Sequence, residues 1–167
     1  LMTQDNLDAT LWRRLGTSRL ARTLCAAPTG AANMGLYGKM PSVTYEDYPE
    51  AKLIILWGVN PNASGIHLIP FVREAQARGA RLVVIDPRST QLARAADVHL
   101  AVQPGTDLPV ALALHRYLFT TGRADQAFLA AHAHNVDALR DRADAWTIAR
   151  AAATAGIDAA ALERVAS

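Results

Sequence analysis

The chain has little of what staples a small domain together: one cysteine, Cys25, in 167 residues. That excludes an internal disulfide framework, and it excludes a zinc or iron–sulfur site built from the cysteines of this chain alone. Lysine is scarce too, appearing only at Lys39 and Lys52. Basic charge is therefore carried by arginine, the better residue for bidentate contacts to phosphate or carboxylate. The 17 basic and 15 acidic residues are scattered to a net charge of +2 with no basic run, which argues against a nucleic-acid partner. No apolar run approaches the roughly 20 residues that span a bilayer, so no membrane contact is expected of this segment. The charged first residues lack the apolar stretch of a signal peptide. No serine stands in a G-x-S-x-G elbow and no paired acids suggest a glycosidase, so hydrolase readings find no support. His67, His99, His115, His132 and His134 are spread along the chain and receive no ligand role.

What is present is a hydrophobic half, 51% of residues, enough for one packed core without staples. Leu7, Leu11 and Leu15, then Leu20 and Leu24, recur at helical spacing and predict two short helices leading to Cys25. The stretch from Cys25 to Ser42 is rich in Gly, Pro, Ala and Asn and is expected to be loop with at most a short helix. The run Leu53–Trp57 reads as a buried strand, His67 to Arg78 as a helix closed by Gly79, and Leu82–Ile85 as a second strand ending at Asp86-Pro87. Strand, helix, strand at this spacing is a βαβ unit with a parallel sheet. The rhythm repeats through a helix at Thr90–Ala96, a strand at Val98–Val102 and a helix at Asp107–Thr121. Beyond Gly122 the chain is Ala-rich and helical, broken near Asn135, Asp144 and Gly156, with Asp158 placed to cap a last helix.

The expected fold is thus α/β: a parallel sheet of at least three strands between helices, Rossmann-like and three-layered, with an Ala-rich helical C-terminal part. Within one domain, residues 1–45 form helices and loop, 46–122 the parallel core, and 123–167 the helical extension. The start at Leu1, in a segment already amphipathic, leads to the expectation of a piece cut from a longer protein.

In open parallel sheets, ligands bind beyond the carboxyl ends of the strands. Gly58 through Ser64 follows the first strand with small residues and backbone amides suited to phosphate, although it lacks the G-x-G-x-x-G fingerprint of a common NAD site. The bland reading is that Asn60, Asn62 and Ser64 make only a turn and an N-cap. Asp86-Pro87-Arg88-Ser89-Thr90 follows the second strand, with an acid placed for ribose hydroxyls and an arginine for phosphate. The alternative is that Asp86 and Arg88 pair with each other or with helix ends. Pro104-Gly105-Thr106-Asp107 follows the third strand, where a carboxylate suits the N1–H and N2–H₂ edge of guanine. Against this stands simple capping of the next helix by Thr106 or Asp107. Cys25 reads either as a buried small hydrophobe or as a thiolate for a soft metal.

Four stretches, Leu56-Trp57-Gly58-Val59-Asn60-Pro61, Gly79 through Arg88, Ala96-Asp97-Val98-His99-Leu100 and Pro104-Gly105-Thr106-Asp107, resemble in order and spacing the molybdopterin oxidoreductases of the dimethyl sulfoxide reductase superfamily. The likeness runs from about Leu11 to the end. It implies that Trp57, Gly58, Asn60 and Ser64, then Asp86, Pro87, Arg88, Ser89 and Thr90, then Gly105, Thr106 and Asp107 hold one guanine dinucleotide arm of a molybdenum bis(molybdopterin guanine dinucleotide) cofactor. Cys25-Ala26-Ala27-Pro28-Thr29-Gly30 looks like the segment that carries the metal-ligating cysteine or selenocysteine in formate dehydrogenases, which makes Cys25 the implied catalytic and metal ligand. In that family an iron–sulfur segment precedes this region and a β-rich domain follows it; this chain has neither and alone is expected to be inactive. The resemblance implies a molybdenum or tungsten enzyme of two-electron redox or oxygen-atom transfer, with the remaining domains of the parent enzyme and electron-transfer subunits as partners. A cytoplasmic location is favoured, a periplasmic one following only from an upstream export signal. The rivals are a non-catalytic relative that keeps the fold as a structural subunit, a simple nucleotide- or NAD-binding module, and a stand-alone interaction domain.

Overall fold

The computed structural model describes residues 9–18, 26–40 and 42–167, and the chain divides into two compact units, Leu1–Val43 and Thr44–Ser167. Leu7, Leu20, Leu24 and Cys25 lie outside the described residues.

In the first unit residues 9–14 are helical, and helix α1 runs over Ala26–Tyr37. The stretch expected to be loop with at most a short helix holds a helix of 12 residues. Four alanines together with Met34 and Leu36 favour helix, and Pro28 falls in the first turn, where its missing N–H would have had no helical acceptor. Together they outweigh Gly30 and Gly35, each worth about 1 kcal/mol against the helix. None of the residues of α1 is buried.

The second unit opens with a 3₁₀ helix, Tyr45–Glu50, whose Thr44 and Asp47 form a reciprocal capping box. Strand β1 (Leu53–Trp57) follows, then α2 (Pro61–Ser64), a 3₁₀ turn (Ile66–Leu68), α3 (Ile69–Ala77), β2 (Arg81–Ile85), α4 (Gln91–Arg94), β3 (Val98–Leu100) and α5 (Asp107–Thr120). The tail forms α6 (Gln126–His132), α7 (Val136–Asp144), α8 (Ile148–Ala155) and α9 (Ala159–Ala166). Several helix starts carry the side-chain caps that polar residues at those positions favour. Thr90 accepts from the Ala93 N–H, Asp125 from Phe128, Thr147 from Arg150, and Asp158 from both Ala160 and Ala161.

The three strands are parallel and lie in the order β1-β2-β3, with Trp57 paired to Ile85 and Ile85 to Leu100 at their carboxyl ends. One face of the sheet, Ile54, Leu56, Leu82 and Val84, packs on Val72 and Ala75 of α3 and on Leu92 and Ala93. The other face, Val83, Ile85 and Leu100, packs on Val110 and Ala113 of α5 and on Ala151, Ala152, Ala155 and Leu162 of the tail. Helices thus cover both faces, as all-parallel sheets require. The alanine content of the tail has a packing reason: small side chains let α8 approach α5 closely enough to be sealed by methyl groups.

β1 departs from the expected fully buried strand. Ile54 and Leu56 are buried, but Leu53 and Ile55 on the alternate face stay 48% and 43% exposed. The tail helices pack on Val83, Ile85 and Leu100 of β2 and β3, so the outward-alternating residues of the edge strand are left open on that side.

Candidate functional site

Each strand end delivers its loop to the same rim. The Gly58 amide donates to the Ile85 carbonyl at 2.8 Å, so the first loop leaves directly beside the end of β2. The Asp86 amide donates to the Leu100 carbonyl at 3.2 Å, which binds the second loop to the end of β3. Side chains complete the circuit. The indole Nε1 of Trp57 donates to Oδ1 of Asp107 at 2.6 Å, tying the first strand end to the third loop across 50 residues of sequence. Asn62 Nδ2 donates to Gln91 Oε1 at 2.9 Å, tying the first loop to the helix after the second.

In the first loop, Asn60 occupies the N-cap position of α2, yet its side chain makes no cap bond. Its carbonyl serves instead, accepting from the amides of Ala63 and Ser64 and from the Ser64 hydroxyl. The Oδ1 atoms of Asn60 and Asn62 are buried without a hydrogen-bond partner. A buried unsatisfied acceptor costs on the order of 1–3 kcal/mol, so both call for a donor from a ligand or from solvent. The turn-and-cap reading of these asparagines therefore does not describe their side chains.

In the second loop, Asp86 is only 7% exposed, and its Oδ1 accepts the Arg88 backbone N–H at 2.7 Å, closing a tight turn over Pro87. The Arg88 guanidinium is exposed and forms no ion pair with Asp86, so the self-pairing alternative is not what the loop adopts. Ser89 gives its carbonyl to Arg94, while Thr90 is 8% exposed and spends its hydroxyl oxygen on the Ala93 amide. His99, which sequence reasoning left without a role, braces this loop from β3, its Nε2 lying 2.9 Å from the Asp86 carbonyl oxygen.

In the third loop neither proposed cap is formed through a side chain. The Thr106 hydroxyl donates back to the Gln103 carbonyl at 2.6 Å, and the Asp107 carboxylate is taken by Trp57. Asp107 is exposed, is the first residue of α5, and sits at the positive end of that helix's dipole. Among the described residues, the amides of Val59, Asn60, Ser89 and Gly105 meet no protein acceptor. Such free amides, two buried amide oxygens and one exposed guanidinium are the donors and acceptors that a phosphorylated, hydroxyl-bearing ligand can satisfy.

The structure thus brings Trp57, Gly58, Asn60, Ser64, Asp86 through Thr90 and Gly105 through Asp107 to one rim of the sheet. Cys25 lies outside the described residues, and among those described no group of three or more His, Cys, Asp or Glu side chains is placed to hold a metal. Gln91, the partner of Asn62, went unnoticed in the sequence because a helical glutamine carries no local signal of a contact 29 residues away. No described helix is long and apolar enough to cross a membrane.

Fold and rim together define an open parallel α/β domain with polar loops gathered at the carboxyl edge, the position where this class of fold takes its ligands. Comparison with known sequences narrows the class: a family model described as molybdopterin oxidoreductase matches residues 6–157, and the chain belongs to that family. Among its relatives, the probable oxidoreductase YoaE of Bacillus subtilis is 28% identical over 165 residues, which is 99% of this chain and 24% of that protein. The assimilatory nitrate reductase of Haloferax mediterranei is 34% identical over 146 residues, 87% of this chain and 20% of that protein. Among solved structures, acetylene hydratase from Pelobacter acetylenicus superposes with a TM-score of 0.74 at 22% identity, covering 85% of this chain and 19% of that one. The chain therefore spans about a fifth to a quarter of the length of the relatives it matches. Family membership implies a molybdenum- or tungsten-molybdopterin cofactor.

Proposed function

We propose that this chain is the part of a molybdenum or tungsten oxidoreductase that grips one guanine dinucleotide arm of a bis(molybdopterin guanine dinucleotide) cofactor. The observation that carries the reading is the joining of all three strand-end loops, by Trp57 to Asp107 and by Asn62 to Gln91, around acceptors and amides that have no partner among the described residues. When bound, the cofactor supplies the metal that exchanges two electrons or an oxygen atom with substrate.

The chain's own residues bind and orient. The amides of Val59 and Asn60 and the guanidinium of Arg88 receive phosphate oxygens, with Gly58 and Ser64 leaving room beside them. Asp86, through the carboxylate oxygen not used by Arg88, accepts from ribose hydroxyls, and Ser89 and Thr90 wall that side with Pro87. Asp107 accepts from the guanine edge at the turn formed by Gly105 and Thr106. Cys25 is the proposed thiolate ligand, resting on the likeness of its segment to that of formate dehydrogenases. Iron–sulfur clusters, substrate contacts and electron-transfer partners belong in this reading to the rest of the parent protein.

The test is compositional. The full-length protein is purified, its metal content is measured by plasma mass spectrometry, and the nucleotide released by acid hydrolysis is identified by chromatography. Molybdenum or tungsten together with GMP is expected, and Asp107→Ala should lower the GMP yield. Metal without GMP, or AMP in its place, would contradict the proposal. In the same preparation X-ray absorption at the metal edge is expected to lose a sulfur neighbour in Cys25→Ala; an unchanged sulfur shell removes Cys25 from the site.

A further inference from the structure

The bond from Trp57 to Asp107 joins the end of β1 to the first residue of α5. Tryptophan can only donate, so the indole N–H gives to the carboxylate without ambiguity of direction, and at 2.6 Å the contact is short even for a charge-assisted bond. The donor is anchored, since Trp57 ends β1, is half-buried and packs against the core that includes Ile85, Leu100 and Val110. The acceptor is otherwise loose. Asp107 is exposed, and its Oδ2 has no partner among the described residues. An aspartate carboxylate turns about χ2 in a broad well, so among the described residues the indole supplies the hydrogen bond that sets the plane in which its two oxygens lie. Bidentate pairing with a guanine edge needs that plane set, because both oxygens must lie in line with the base's N1–H and N2–H₂.

We propose that Trp57 is a positioning residue for base selection, its indole N–H holding the Asp107 carboxylate in the plane that pairs with guanine. The inference rests on the guanine reading given above and adds a determinant of its specificity. Oδ1 keeps a second lone pair beside the indole, so the bond to Trp57 orients the carboxylate without consuming it. Fixing the rotamer before the base arrives removes an ordering cost that a free aspartate would bear on binding. The advantage falls on guanine alone, because adenine presents no matching pair of donors to a carboxylate.

The experiment uses the full-length protein isolated from cells unable to make the molybdenum cofactor, titrated calorimetrically with GDP, IDP and ADP. Wild type is expected to favour GDP over ADP. Trp57→Phe should weaken GDP roughly three- to tenfold, leave ADP unchanged and affect IDP, which lacks the N2 amine, less than GDP. Asp107→Ala should remove the preference, and adding Trp57→Phe to it should change nothing further, since the two act as a unit. Benzothienylalanine at position 57 keeps the shape of the ring and removes only the N–H, so it should reproduce the loss of selectivity even where phenylalanine perturbs folding. Equal weakening of GDP and ADP, no effect on either, or a further loss in the Asp107→Ala background would overturn the role of Trp57. A wild-type protein that binds GDP and ADP alike would instead overturn the guanine reading itself.

Discussion

Gly58 turns the chain out of β1 at φ 63°, a left-handed conformation that costs an L-residue about 1–2 kcal/mol. No atom lies within 4 Å of the place a Cβ would occupy, so an added methyl would meet strain but no clash. Gly58→Ala is accordingly expected to lower the unfolding free energy by about 1–2 kcal/mol in a urea titration without abolishing folding. A neutral substitution would mean that the turn relaxes and that its geometry is not fixed by β1 and β2. At this scale the sequence was most informative about residue type and least about contact. Asp86, Asp107 and Asn60 are recognisable as polar residues at strand ends, but the bonds they make are not. A capping reading suits Thr106 by local rule, whereas the Gln103 carbonyl claims its hydroxyl. Trp57 lies 50 residues from Asp107, and no local pattern encodes a bond across that span.

Among the elements, strands and capped helices were the most legible, because their signals are local. Leu53–Trp57 and Leu82–Ile85 announce themselves as apolar runs between turn residues, and Asp158 announces the start of α9. Two readings failed for physical reasons. Glycine and proline between Cys25 and Ser42 suggested loop with at most a short helix, yet the alanines around them carry the 12 residues of α1. An all-apolar β1 suggested burial on both faces, yet Leu53 and Ile55 stay exposed because the tail helices pack on β2 and β3. β2 is the strand that both layers share, and Leu82 within it is fully buried against Val72, Ala75 and Leu92. Leu82→Ala should therefore cost about 2–5 kcal/mol of stability, read from the denaturant midpoint at unchanged slope. A loss below about 1 kcal/mol would show that the α3 face collapses to fill the space and that packing there is looser than described.

At the scale of the whole molecule, the α/β architecture and the rim shared by the three strand-end loops follow from topology. Parallel strands joined through helices must bring every strand-to-helix loop to one edge, and the three loops here are further clasped by side chains. Family membership gives the cofactor class; that this rim is where one arm of it is held is the proposal made above. Hydrogen exchange read by mass spectrometry, on the cofactor-free full-length protein with and without GDP, tests that joint grip most directly. GDP is expected to slow exchange together in residues 58–64, 86–90 and 104–107, and to leave the opposite edge around Arg81 and Asp97 unchanged. Protection confined to one loop, or found at the opposite edge, would contradict a shared site and with it the account of this chain as a dinucleotide holder.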